Sequence, residues 1–185
     1  MFKAKLKSGV SSSSMGSPGG AVMNCECTKK KLNAKSNIKI DTWNVRTLAQ
    51  FGKAHNAINE MERLKIHILG ISEMRGPGSN FFDINDHRIY YSRTTNGKHE
   101  YGVGVIINKT IATYVTNFIP ISERIMLLQI QTTPANINVI QVYAPTCQSD
   151  EDEIKEFYSQ IIEVLKLPKQ DLAIIMGDWN AKIGK

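Results

Sequence analysis

Five polar residues stand where chemistry would need them: Asn44, Glu73, Tyr143, Asp178 and Asn180. Each closes an apolar, strand-like run: Trp43-Asn44, Ser72-Glu73, Tyr143 before Ala144-Pro145, and Gly177-Asp178-Trp179-Asn180 after Ile174-Ile175-Met176. Such residues suit metal-assisted attack on a phosphodiester. A hard cation such as Mg²⁺ (or Mn²⁺) takes oxygen ligands and keeps several waters, so one or two side chains suffice. Glu73 offers charge and Asn44 a neutral oxygen. Asp178 suits orienting or deprotonating a water, and Asn180 and Tyr143 can donate to phosphate oxygens. Arg46 is a candidate bidentate phosphate contact.

Each residue also has a plainer explanation. Asn44, Asp178 and Asn180 are turn formers. Glu73 can be a solvated carboxylate at the start of a Gly/Pro loop, and Tyr143 an amphipathic ring at a sheet rim. The shared position argues for the joint reading, because C-terminal strand ends of parallel α/β sheets line a ligand crevice.

The elements that must position these residues follow from periodicity. Ile38, Ile40 and Thr42 alternate with polar partners in a strand ending at Asn44. Ala54, Ala57, Ile58, Met61 and Leu64 fall on one face of a helix over 54–65. Ile66 to Ile71 reads as a buried strand, so a parallel pair with a crossover helix is predicted. Arg88–Arg93, Gly102–Asn108, Ile111–Phe118, Arg124–Thr132 and Asn136–Tyr143 read as an antiparallel meander. Ser149-x-x-Asp152 predicts a helix start, with Ile154, Phe157, Tyr158, Ile161 and Leu165 at helical spacing, and a last strand over 171–177. The expected class is α/β: two packed β-sheets with outer helices, a four-layer sandwich.

The charge divides unevenly. Of 23 Lys and Arg and 17 Asp and Glu, seven Lys and one Glu fall in residues 1–36, so the whole formal +6 belongs there and residues 37–185 balance to zero. That first segment is rich in Ser, Gly and Lys and is expected to be a disordered basic tail. Lys29-Lys30-Lys31 reads as a solvated run, with a nuclear-import or nucleic-acid contact as the alternative. Three cysteines without zinc-site spacing suggest free thiols in a reducing, intracellular compartment. No run approaches the apolar length of a membrane span.

Five segments carry a family resemblance: Trp43-Asn44-Val45-Arg46-Thr47, Ile68 to Arg75, Tyr101 to Val105, Gln141-Val142-Tyr143-Ala144-Pro145-Thr146 and Ile175 to Ala181. Over residues 37–185 the chain resembles the endonuclease/exonuclease/phosphatase superfamily. More narrowly, it resembles the endonuclease domain of non-LTR retrotransposons and the craniofacial development protein 2-like sequences. The resemblance implies that Asn44 and Glu73 bind or organise Mg²⁺, that Tyr143 positions phosphate, and that Asp178 and Asn180 serve the nucleophile and transition state. It implies DNA as the partner, with no membrane and no obligate protein partner, and nicking of a target site as the activity.

Two departures qualify the resemblance. Gly76-Pro77-Gly78 follows Arg75 where the retroelement pattern has a Trp. The family's closing acidic residue and Ser-Asp-His segment have no counterpart up to Lys185. The expectation is therefore a domain truncated at its C-terminus, with weak or absent nicking. The rival expectations are a catalytically dead remnant that binds nucleic acid or a protein, and a phosphatase of the same superfamily.

Overall fold

The computed structural model describes residues 23–24, 31–33, 37–46, 48, 52–74, 78–93, 101–167 and 171–180. The first sheet is built around strand β3 (Ile40–Asn44), helix α1 (Lys53–Arg63) and strand β4 (Ile68–Ser72). β3 and β4 run parallel, with Asn44 beside Ser72 in register. Antiparallel strands β5 (Ser79–Ile84), β6 (His87–Ser92) and β7 (Val103–Asn108) complete the order β3-β4-β7-β6-β5.

Helix α2 (Lys109–Ala112) then carries the chain to the second sheet. That sheet holds β8 (Val115–Pro120), β9 (Ile125–Ile130), β11 (Ile137–Tyr143) and β12 (Leu172–Asp178) in the order β8-β9-β11-β12. Helix α3 (Glu151–Leu165) crosses between parallel β11 and β12, which align Tyr143 with Asp178. Each sheet thus ends in one parallel pair joined by an outer helix, and β3 and β12 lie against each other across the sandwich.

Alternation along the strands builds four layers. Ile68, Val103, Val105, Ile107, Met126, Leu128 and Val139 point between the sheets. Their neighbours Leu69, Ile71 and Ile106 face Ala57, Ile58 and Met61 of α1. Ile125, Leu127, Ile140 and Val142 face Phe157, Ile161 and Val164 of α3. Burying side chains of this size contributes roughly 1.5–3 kcal/mol each. The architecture is the expected α/β class, with two mixed sheets that do not close on each other.

Several details differ from the sequence expectation. Residues 109–112 form a single helical turn before β8, because Asn108 caps it: its side chain accepts from the Ile111 amide at 2.8 Å. The cap of α3 is Asp150 rather than Ser149, its carboxylate accepting from the Glu153 amide at 2.7 Å. β5 was not foreseen. Two short pieces of the expected tail lie on strands: β1 (Met23–Asn24) pairs with β8, and β2 (Leu32–Asn33) pairs with β10 (Thr132–Thr133). Open strand edges offer unpaired backbone groups that such segments can satisfy. Apart from Lys31, the remainder of 1–36, Lys29 and Lys30 included, lies outside the described residues.

Candidate functional site

β3, β4, β11 and β12 all end at one rim of the sandwich, and their last residues meet there. The Asn44 amide nitrogen donates to Glu73 Oε1 at 2.8 Å and to Asp178 Oδ2 at 2.9 Å. Two carboxylates from different sheets therefore share one neutral donor. Tyr143 completes the group, donating its hydroxyl to Glu73 Oε1 at 3.1 Å. Asp178 Oδ1 accepts the Asn180 amide N–H at 3.0 Å, and the Asn180 side chain donates to the Ala144 carbonyl at 2.6 Å. All five strand-end residues singled out in the sequence are brought together.

Arg46 is joined to the group through its backbone: its N–H donates to Asn44 Oδ1 at 3.1 Å. The Asn44 oxygen, expected as a neutral metal ligand, is thus engaged, and the amide nitrogen is the end that faces the carboxylates. A primary amide has a donor end and an acceptor end, so a half-turn of the side chain exchanges them.

The backbone is forced at this rim. Arg46 (φ 47°), Glu73 (φ 62°) and Asn180 (φ 47°) all adopt the left-handed region. Such conformations cost non-glycine residues on the order of 1–3 kcal/mol and tend to cluster where function holds them. Gly177 (φ 146°) permits the approach of β12 to β11, since a Cβ there would lie 1.9 Å from the Val142 carbonyl oxygen. That approach sets Asp178 beside Tyr143.

Beneath the rim lies a buried polar layer absent from the sequence-derived candidates. Gln141 is fully buried and donates to Ser72 Oγ at 3.2 Å and Thr42 Oγ1 at 3.4 Å, tying β11 to β4 and β3. Gly70 makes room for it: a Cβ there would fall 1.9 Å from Gln141 Oε1. Arg124, at the foot of β9, is also buried. Its guanidinium lies 3.9 Å from the Tyr101 ring centroid and donates to the Tyr143 carbonyl at 3.3 Å. A polar residue within an apolar run carries no local sign of these long-range partners.

Burial, then the nearby Glu73 carboxylate, push the Tyr143 phenol above its ordinary range. It therefore stays protonated, and able to donate, through neutral pH. The described histidines lie elsewhere. His67 accepts the Lys39 amide at 3.0 Å at the opposite end of β3 and β4. His87 begins β6 beside Glu62, and its register partner Asn108 also marks that far end; His55 lies on α1. No group of three or more His, Cys, Asp or Glu placed to hold a metal occurs among the described residues. A cleft of about 690 Å³ opens at the far end too, lined by Ile38, Ile40, Ile137, Leu172 and Ile174. It is apolar and remote from the carboxylates.

Two mixed sheets with outer helices and polar strand ends converging at one rim define an α/β sandwich with its candidate site at one edge. The chain belongs to the endonuclease/exonuclease/phosphatase family, whose model matches residues 42–183. It is 36% identical over 186 residues to craniofacial development protein 2 of Tragulus javanicus, covering 96% of this chain and 32% of that protein. It is 39% identical over 151 residues to craniofacial development protein 2 of Bos taurus, covering 81% of this chain and 25% of that one. The chain thus spans only a quarter to a third of the length of these relatives. Among solved structures it resembles the endonuclease domain of TRAS1, a telomere-specific non-LTR retrotransposon, with a TM-score of 0.56 and 20% identity over 78% of this chain and 61% of that one.

Proposed function

We propose that this chain carries a divalent-metal-dependent phosphodiester-cleaving site that nicks DNA, of the retroelement type. The observation that supports it best is the meeting of Glu73 and Asp178 on one Asn44 amide nitrogen. Like charges at this spacing repel unless a positive centre joins them. Two carboxylates beside an amide that a half-turn would present by its oxygen suit a hard cation that keeps its waters. Glu73 and Asn44 are the residues that would hold Mg²⁺ or Mn²⁺. Bound there, the ion would neutralise phosphate charge during displacement.

The remaining roles belong to this chain's own groups. Asp178 has both oxygens tethered, by Asn44 and by the Asn180 amide, which fixes the carboxylate to orient a water or take its proton. Tyr143 stays protonated; its single O–H, held on Glu73 in this arrangement, would turn to a phosphate oxygen once Glu73 is engaged by the ion. The Asn180 side chain donates to the Ala144 carbonyl and also bonds the Tyr143 phenol, which places its amide beside the group that would face phosphate. Arg46 supplies a cation at the rim for a flanking phosphate. DNA is proposed as the substrate because the similar TRAS1 domain is an endonuclease.

The test is conversion of supercoiled plasmid to open circles with Mg²⁺ and Mn²⁺, beside a Glu73→Ala control. Metal-dependent nicking that disappears in the control supports the proposal. Absence of nicking at high protein and long incubation, or nicking that survives in the control, overturns it.

A further inference from the structure

Arg124 is a charged residue that the proposed chemistry does not use, and it is nearly inaccessible, its side chain 7% exposed. Burying a guanidinium is costly unless its edges and faces are all satisfied. Here they are. One edge donates to the Tyr143 carbonyl at 3.3 Å, and another nitrogen is paired with Glu153 in the first turn of α3. One neighbouring ring is Tyr101, 3.9 Å from the guanidinium carbon, and the other is Tyr143, at 5.6 Å. The two rings stand 6.3 Å apart at 47°.

Each of these partners is itself anchored near the rim. Tyr101 adjoins Gly102, whose carbonyl accepts the Met74 amide at 2.9 Å, immediately after Glu73. The Tyr143 amide donates to the Arg124 carbonyl at 2.9 Å, so main chain and side chain of Arg124 both grip the same residue. Glu153 is held in turn by the Asp150 cap. A continuous line of contacts therefore runs from the start of α3 through Arg124 to the Tyr143 carbonyl and ring, and from the Tyr143 hydroxyl to Glu73.

We infer that Arg124 is a positioning residue: its guanidinium, held between Tyr101 and Glu153, sets the Tyr143 ring so that the hydroxyl meets Glu73. The inference rests on the proposed use of Tyr143 as a phosphate-facing donor. A buried ion pair with Glu153 alone would need only a cation. The observed arrangement uses the planar fork and the flat face together, which a lysine does not reproduce.

The test reads the Tyr143–Glu73 contact directly, without metal or turnover. The six tyrosines are replaced by 3-fluorotyrosine, and Tyr143→Phe assigns the Tyr143 ¹⁹F resonance. Glu73→Gln is then introduced into the native chain and into Arg124→Lys, which keeps the charge facing Glu153. The expected result is a clear shift of the Tyr143 resonance on Glu73→Gln in the native chain, lost in the Arg124→Lys background. The Tyr114 and Tyr158 resonances should stay in place, showing that the fold persists. An equal shift in both backgrounds overturns the inference. Should Arg124→Lys disturb every tyrosine, Tyr101→Phe and Tyr101→Leu give the second comparison: the coupling survives with the ring and is lost without it, and survival in both contradicts the inference. In nicking assays Arg124→Lys should cost about 10-fold or more, and no further in a Tyr143→Phe background. Nicking absent from every protein would sink the hydrolase reading, while the resonance coupling would still decide the role of Arg124.

Discussion

Asn44 and Asp178, 134 positions apart, are joined by a 2.9 Å hydrogen bond from amide to carboxylate. The bond ties the last residue of β3 to the last residue of β12, and so ties one sheet to the other at the rim. With Glu73 on the same nitrogen, Asn44 is the hub of the polar group. Asn44→Ala should therefore affect chemistry far more than stability. Exposed hydrogen bonds of this kind contribute about 1 kcal/mol net. The expected outcome is a small change in a urea melt beside a loss of about 100-fold in nicking. A large fall in stability would instead make Asn44 a structural residue.

Gly177 and Gly52 separate two costs of adding a methyl group. Both have positive φ, at 146° and 85°, but only Gly177 faces a backbone collision; nothing lies within 4 Å of a Cβ at Gly52. Gly177→Ala should destabilise by roughly 3 kcal/mol or more, and Gly52→Ala by about 1 kcal/mol. Denaturant unfolding of the two variants checks this. Equal losses would mean that β12 can move away from β11 without consequence.

His87 predicts a pH dependence. Burial, its largest influence, lowers its pKa from the ordinary 6.5, while Glu62 and Asp86 pull the other way. The folded protein thus binds this proton less readily than the unfolded chain. The associated stability is complete above pH 6.5 and is lost as pH falls through the lowered folded value. His87→Gln should flatten the slope of stability against pH in that window. An unchanged slope would show that other groups set it.

Two apolar positions predict self-association. Leu172, on the edge strand β12, is 54% exposed, and Ile162 on the outer face of α3 is 57% exposed. Among the described residues no strand covers the free side of β12. Open apolar edges favour pairing between chains. Ile162→Glu together with Leu172→Lys should lower the apparent mass at high concentration in light scattering. No change on substitution would place the contact elsewhere.

Much of this arrangement was legible in the sequence because the local pattern and the tertiary role agree. The apolar runs ending at Asn44, Glu73, Tyr143 and Asp178 needed only a parallel pairing to bring their ends together. Spacing located the helical faces only in part: Ala57, Ile58, Met61, Phe157 and Ile161 are buried, but Leu64, Tyr158 and Leu165 are exposed and Val164 fills the α3 face instead. What escaped was set by distant partners or hidden by neighbours. Ser79–Ile84 forms β5 by pairing with β6, although Ser79-Asn80 and Asp83 give it the look of a loop. The α2 turn was masked by the apolar residues that follow its Asn108 cap. Arg124 and Gln141 were placed on strands, but nothing local marked them as buried polar anchors. Their partners are Tyr101 and Glu153 for one, Thr42 and Ser72 for the other, and these become visible only when the sheets are stacked.

The central claim is that Glu73, with Asn44 and Asp178 at one rim, makes a site for a hard divalent cation. Electron paramagnetic resonance of Mn²⁺ titrated with the full chain tests it most directly, because free Mn²⁺ is counted without any need for turnover. The account predicts binding of one Mn²⁺ per chain, competed by Mg²⁺, abolished by Glu73→Ala and weakened by Asn44→Ala. Undiminished binding in Glu73→Ala, or none in the native chain, would contradict it.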